Sequence, residues 1–192
     1  MYDILIIGSG PGGYVAAIRA AQLGLRVGCI DKSEVGGTCL NVGCIPSKSL
    51  LDSSLKHYHL LNQFEDHGLH VDGLQLDLDK MMSRKQDVIT QLTNGVGALF
   101  KSNKVDFISG IAKIKNRNEV EIIQDSKTEI LETQNIIIAT GSNPIELENI
   151  KFDENIVDSE GALKFDRVPK QIVVIGAGVI GLELSSVWSR LG

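Results

Sequence analysis

The chain opens on an unbroken apolar run within residues 3–7, too short for a helix and lacking the alternation of a half-exposed strand. Such a run predicts a strand buried on both faces. It leads into Gly8, Ser9, Gly10, Pro11, Gly12 and Gly13. A helical pattern then extends from Tyr14 to Leu23, and Gly24 supplies a stop. Leu25 to Ile30 is a second apolar strand, ending at Asp31. This order of strand, glycine turn, helix and strand predicts an α/β fold with a parallel sheet covered on both faces.

Glycine-rich residues 36–43 follow, and a helix is expected from near Pro46, since proline suits a first-turn position. A polar stretch containing histidine covers 57–72. From about Asp77 to Lys101, Met81, Met82, Val88, Ile89, Leu92, Val96 and Leu99 form a helical stripe, expected to be core or a helix-hairpin contact. Residues 105–139 divide at Asn118 and at Asp125 and Ser126 into three or four short strand-like runs, a small antiparallel meander. Residues 145–170 are polar and acidic and read as a connector. The opening pattern then returns: a strand over Gln171–Ile175, a glycine turn over Gly176–Gly181 and a helix over Leu182–Leu191. Gly176 stands 168 positions after Gly8, so the chain holds one supersecondary unit twice. The second strand of the repeat is due where the sequence stops, at Gly192, and the chain reads as part of a longer one.

Composition narrows the class. A formal net charge of −5 on 192 residues argues against nucleic acid or an anionic membrane surface as the main partner. No apolar run approaches the ~20 residues a membrane span requires. The N-terminus shows no basic region followed by an apolar one, so no signal peptide is expected. Three cysteines are too few, and odd in number, for a secreted disulfide framework. Cys29, inside an apolar strand, reads as a small core residue. The histidines at 57, 59, 67 and 70 match no ligand spacing, and no metal site is expected.

Three segments carry chemistry. Gly8, Gly10 and Gly13 follow a strand and open a helix, with the acidic Asp31 at the end of the next strand, 23 positions after Gly8. That context turns a weak glycine motif into a dinucleotide-binding fingerprint. Gly8 makes the turn, Gly10 admits the pyrophosphate, Gly13 lets helix and strand pack closely, and Asp31 accepts from ribose hydroxyls. The bland alternative is a tight turn without a ligand. Gly176, Gly178 and Gly181 repeat the fingerprint, with Val179 and Ile180 beside them, and suggest a nicotinamide nucleotide. Between the two, Cys39 and Cys44 stand five apart with Gly43 between them, close enough in sequence to close a small ring. A helix beginning just after Cys44, and Lys48 one turn on, would favour a thiolate. A redox dithiol and a structural staple are both compatible with that spacing.

Residues 36–48, GGTCLNVGCIPSK, resemble the redox motif of the pyridine nucleotide–disulfide oxidoreductase family. The resemblance extends along the chain through GSGPGG at 8–13, QLTNG at 91–95, GIA at 110–112, ATGSNP at 139–144 and GAGVIGLELSSVW at 176–188. Leu40, Ile45 and Ser47 look more like the lipoamide branch than the glutathione branch; a related disulfide or mercuric reductase is the alternative. The resemblance implies a flavoprotein that oxidises protein-bound dihydrolipoamide through a Cys39–Cys44 disulfide and FAD, with hydride transfer to NAD. Cys39 would be the interchange thiol, Cys44 the thiolate facing the flavin, and Lys48 a neighbour of the flavin paired with Glu183. The FAD site would be lined by residues 8–13, Asp31, Lys32, Gly37, Thr38, Cys39, Cys44, Lys48, Ala112, Thr140, Gly141 and Ser142. Gly176, Gly178, Val179, Ile180, Gly181 and Glu183 would serve the second nucleotide.

The implied organisation is an FAD-binding Rossmann-like domain over 1–145 lacking its returning segment, a connector over 146–170, and the start of an NAD-binding domain over 171–192. The base histidine and dimerisation domain of the family lie outside these residues, so negligible lipoamide turnover is expected of the chain alone. Implied partners are a lipoyl domain of a 2-oxo acid dehydrogenase complex or of the glycine cleavage system, and a second copy in a full-length homodimer. The implied location is the cytoplasm, or the mitochondrial matrix in a eukaryote.

Overall fold

A computed structural model describes residues 1–124 and 127–192. The turn expected at Asp125 and Ser126 lies outside the described residues. The chain divides into two compact units, one of residues 1–41 and 90–142, the other of 42–89 and 143–192.

The first unit holds a six-stranded sheet with strand order β3-β2-β1-β6-β5-β4. β1 (Tyr2–Ile7) lies parallel to β2 (Val27–Asp31) on one side and to β6 (Lys127–Ile138) on the other. β3 (Asp106–Ser109) extends the parallel part beyond β2, whereas β4 (Ile111–Asn116) and β5 (Glu119–Gln124) pair antiparallel and continue into β6. The meander expected over 105–139 is therefore shorter: β3 joins the parallel sheet, and the long β6 serves both parts. A sharp corner at Gly110 (φ +150°) separates β3 from β4.

Side chains alternate across a strand, which explains the unbroken apolar run at the N-terminus. Ile6 and Cys29 face α1 (Pro11–Gln22) and the far end of α4 (Leu78–Asn103), packing on Ala17, Ala20, Val96 and Phe100. Leu5, Ile7 and Ile30 point to the opposite face and pack on Val120 and Ile122 of the meander. With both faces covered, the central positions of β1 and β2 are apolar, and their carboxylates, Asp3 and Asp31, lie near the strand ends. Gly24 follows α1 in the left-handed region (φ +87°), as a helix stop requires.

The second unit is helical. α2 (Gly37–Val42) ends at the boundary between the units, and α3 runs over Cys44–Asn62, two residues ahead of the expected start. Pro46 is compatible with that start, because backbone N–H groups in the first turn have no intrahelical acceptor and a missing one there costs nothing. His57 and His59, in the stretch read as polar, lie on α3. α5 (Ser159–Ala162) interrupts the connector, and α6 covers Val179–Leu191. Leu50, Met81, Leu163, Leu184, Val187, Trp188 and Leu191 form this unit's core.

The strand expected over Gln171–Ile175 does not form; these residues have no ladder partners, and Val173 and Ile175 are 82% and 67% exposed. A strand is stable only when neighbours take up its N–H and C=O groups, and no other segment of this unit is a strand. Among the described residues, no helix is long and apolar enough to cross a membrane, and no cluster of His, Cys, Asp and Glu could hold a metal.

Two donors close the C-terminal end of α5: Trp188 Nε1 donates to Ala162 O at 3.0 Å and Lys85 Nζ to Leu163 O at 2.6 Å. Lys85 is buried, and desolvation, followed by the nearby Lys164, pulls its ammonium below the ordinary 10.5. The folded chain therefore holds this proton less tightly than the unfolded chain. The stability it contributes rises as pH climbs from the depressed value towards 10.5. Lys85→Met removes that dependence. Between pH 8 and 10.5 the parent's melting temperature should gain on that of Lys85→Met, and parallel curves would refute the assignment.

Candidate functional site

The first glycine turn is built by backbone contacts that leave no room for side chains. A Cβ on Gly13 would lie 1.8 Å from Gly8 O, and one on Gly8, itself at φ +103°, 2.1 Å from Ala139 O. Gly8 N donates to Ile30 O and Ala139 N to Ile7 O, so the turn, the end of β2 and the segment after β6 meet at the carboxyl ends of the parallel strands. Thr140, Gly141 (φ +70°) and Ser142 continue from there, all exposed. Ligands of open α/β sheets bind at this edge.

Gly10 is the N-cap of α1 in an extended conformation, Pro11 is the first helical residue, and Gly12 follows it, exposed. No side chain caps the helix and no acidic residue lies in its first turn. Its first-turn N–H groups and the positive end of its dipole suit an anion. Gly37 (φ +59°) packs on this turn so closely that a Cβ there would lie 2.5 Å from Gly10 Cα. Thr38, next on α2, is exposed, as is Lys32 after β2. Ala112 sits half-buried on β4, against the Leu5, Ile7 and Ile30 cluster.

The sequence placed Ser9 in this turn but did not reveal its contact with Asp31. Ser9 is fully buried, and both its N–H (2.7 Å) and its hydroxyl (2.8 Å) donate to Asp31 Oδ2. Ser33 N donates to Oδ1 at 3.0 Å. Gly36 N in turn donates to Ser9 O at 3.0 Å, tying residues 36–37 to the loop. The only signal available in the sequence was a hydroxyl between two turn glycines, 22 positions before an acidic strand end.

Cys39 is the third residue of the short helix α2, not a loop residue as the glycine content of 36–43 suggests, and is half-buried. Asn41 closes the helix on itself by donating to Val35 O and Gly37 O. Gly43 then caps α3, whose first residue is the exposed Cys44. Ser47 N donates to Gly43 O and Ser47 Oγ to Cys44 O, holding the first turn without covering the thiol. Cys29 is different: fully buried, 3.6 Å from Gly8 O, its thiol is pushed up to about 12 by desolvation and secondarily by Asp31.

Lys48 on α3 and Glu183 on α6 meet in a two-pronged ion pair, Nζ lying 2.7 Å from both Oε1 and Oε2. The lysine is 57% exposed, so the pair adds little to stability, below about 1 kcal/mol. Its effect is positional. The second glycine turn repeats the geometry of the first. Gly176 has the same φ of +103° as Gly8, Gly178 is an extended N-cap like Gly10, and a Cβ on Gly181 would lie 2.9 Å from Gly176 O. No side chain caps α6, and Val179 and Ile180 are exposed in its first turn.

Comparison with known proteins agrees with this geometry. The model of the family described as pyridine nucleotide-disulphide oxidoreductase matches residues 2–192. Mitochondrial dihydrolipoyl dehydrogenases of Homo sapiens and Bos taurus are 52% and 51% identical over 195 aligned residues, which cover 99% of this chain. The chain spans only 38% of the length of those relatives. Among solved structures, the HOCl-induced flavoprotein disulfide reductase of Escherichia coli superposes with a TM-score of 0.83 at 27% identity, over all of this chain and 40% of that one. The two cysteines five apart, the twin glycine turns and a family match over nearly every residue place this chain in the pyridine nucleotide-disulphide oxidoreductase family.

Proposed function

We propose that the chain is the FAD-binding part, with the beginning of the NAD-binding part, of a disulfide oxidoreductase that oxidises protein-bound dihydrolipoamide. Residues 1–145 form the flavin domain, 146–170 the connector and 171–192 the start of the nicotinamide domain. The observation that carries this reading is the pair of matching glycine turns, each opening an uncapped helix, with Cys39 and Cys44 between them in sequence. The first turn fits FAD: its glycines leave the loop free of side chains, and the N–H groups opening α1 face no side-chain acceptor. Gly8 to Gly13 and Gly37 would hold the pyrophosphate, Asp31 the ribose, and Thr38, Ala112 and residues 140–142 the rest. The second turn would take NAD in the same way, with Gly176, Gly178 and Gly181.

The residues then divide the reaction. A thiolate of dihydrolipoamide attacks Cys39 Sγ; the Cys39–Cys44 bond breaks and Cys44 leaves as a thiolate. The second substrate thiolate attacks its own mixed-disulfide sulfur, closing lipoamide and releasing Cys39 as a thiolate. Two electrons and one bond have changed hands. FAD, when bound, would supply the acceptor for those electrons, and NAD would be their final carrier. Lys48, fixed by Glu183, keeps a positive charge one turn from the Cys44 thiolate along α3. The lipoyl domain of a 2-oxo acid dehydrogenase complex, or of the glycine cleavage system, is the partner this chemistry fits. The relatives' names place them in mitochondria, which supports a mitochondrial location if the source is eukaryotic and a cytoplasmic one otherwise; a homodimer of the longer protein is proposed from the family resemblance.

The test is a visible spectrum of the purified chain mixed with FAD, before and after one equivalent of dithiol. A long-wavelength shoulder appearing on reduction is expected, from Cys44 thiolate against the ring. Free-flavin absorbance throughout would defeat the reading for this chain.

A further inference from the structure

Ser9 lies in the first glycine turn, but its buried hydroxyl has no role of its own in the functional reading so far. All three of its polar groups are engaged: N and Oγ donate to Asp31 Oδ2, and its carbonyl accepts from Gly36 N. A carboxylate oxygen accepts about two hydrogen bonds. Oδ2 is thereby filled from the protein side, in partly buried surroundings. Oδ1 takes one bond, from Ser33 N, in an exposed environment, and keeps one acceptor position open.

Aspartate also lacks the reach of glutamate. Its carboxylate sits close to the backbone at the end of β2, where rotation about its terminal torsion is broad unless something locks it. Two donors from one residue, both on the same oxygen, supply that lock. We propose that Ser9 is a positioning residue for nucleotide recognition: its hydroxyl touches Asp31 rather than the ligand, and fixes the carboxylate so that Oδ1 alone meets the adenosine ribose. This rests on the reading of the first glycine turn as the FAD site. One open acceptor gives one strong hydroxyl contact, and a fixed, negatively charged oxygen repels a ribose phosphate.

FAD fluorescence quenching by the chain provides the assay, with ADP and 2′,3′-dideoxy-ADP as competitors. A hydroxyl bound to a properly set carboxylate is worth about a tenfold preference for ADP in the parent. In Ser9→Ala that preference should fall below about threefold, since the unlocked carboxylate gives up geometry. A merely structural serine would weaken both competitors equally and leave the ratio where it was. Ser9→Cys, nearly isosteric with a weaker donor, should give an intermediate ratio, and it carries the test if circular dichroism finds Ser9→Ala unfolded. In the Asp31→Asn background, Ser9→Ala should change the ratio no further. An unchanged ratio in a folded variant that still quenches FAD overturns the proposal while leaving the flavin site intact. Failure of the parent itself to quench FAD overturns the flavin reading, and this inference with it.

Discussion

Gly13→Ala is expected to lower the chain's stability by ~3 kcal/mol or more, while the same substitution at Gly95 raises it. The added Cβ at residue 13 would lie 1.8 Å from Gly8 O and 2.8 Å from Gly8 C, both backbone atoms of the turn it must pack against. A flexible side chain could swing aside; a carbonyl anchored between β1 and α1 cannot. Relief requires the helix to lift from the strand, where Ile6, Ala17 and Ala20 share one core. Overpacking against side chains already costs about 1–3 kcal/mol, and backbone atoms yield less. For a chain of this size the melting temperature should fall by roughly 6 to 12 °C. Gly95 sits inside α4 with nothing within 4 Å of its Cβ position. There the substitution replaces a poor helix former by the best one, a gain of about 0.5–1 kcal/mol. Thermal unfolding followed by circular dichroism reads both, and Gly13→Ala melting with the parent would dismiss the close approach of α1 to β1.

The second large effect concerns the thiols. Cys39→Ser and Cys44→Ser should each slow dithiol-driven bleaching of bound FAD by at least roughly a thousandfold, as expected when one member of a unit that acts together is lost. The two variants differ in kind. Without Cys44 a substrate thiolate has no disulfide to attack; without Cys39 the remaining thiolate is still there but has no partner to form one. Cys29 cannot substitute for either. Burial pushes its thiol up to about 12, which leaves little thiolate at pH 8, and the residue is fully buried. Iodoacetamide at pH 8 should therefore label the reduced chain at Cys39 and Cys44, and reach Cys29 only in denaturant. Bleaching at the parent rate in either serine variant would remove the cysteines from the mechanism.

Linear order alone determined a good deal here. Unbroken apolar runs gave the parallel strands, because a strand covered on both faces has no room for polar alternation. Glycine spacing located both glycine turns, since the steric demands of a tight turn act over five or six consecutive residues. The sequence also set Cys39 and Cys44 apart from Cys29 by their surroundings. Other features depended on partners far along the chain. β3 joined the parallel sheet because β2 offered it an open edge, and nothing within residues 106–109 distinguishes that pairing from a meander. Residues 171–175 read as a strand yet remain without a ladder, since a strand's hydrogen bonds come from its neighbours and none is present in that unit. The start of α3 moved to Cys44 because a helix tolerates proline anywhere its N–H groups are already unpaired. Ser9 on Asp31 joins positions 22 apart, and Lys48 on Glu183 joins positions 135 apart. The notation of residues along a line names such groups, but only folding brings their atoms within hydrogen-bonding reach.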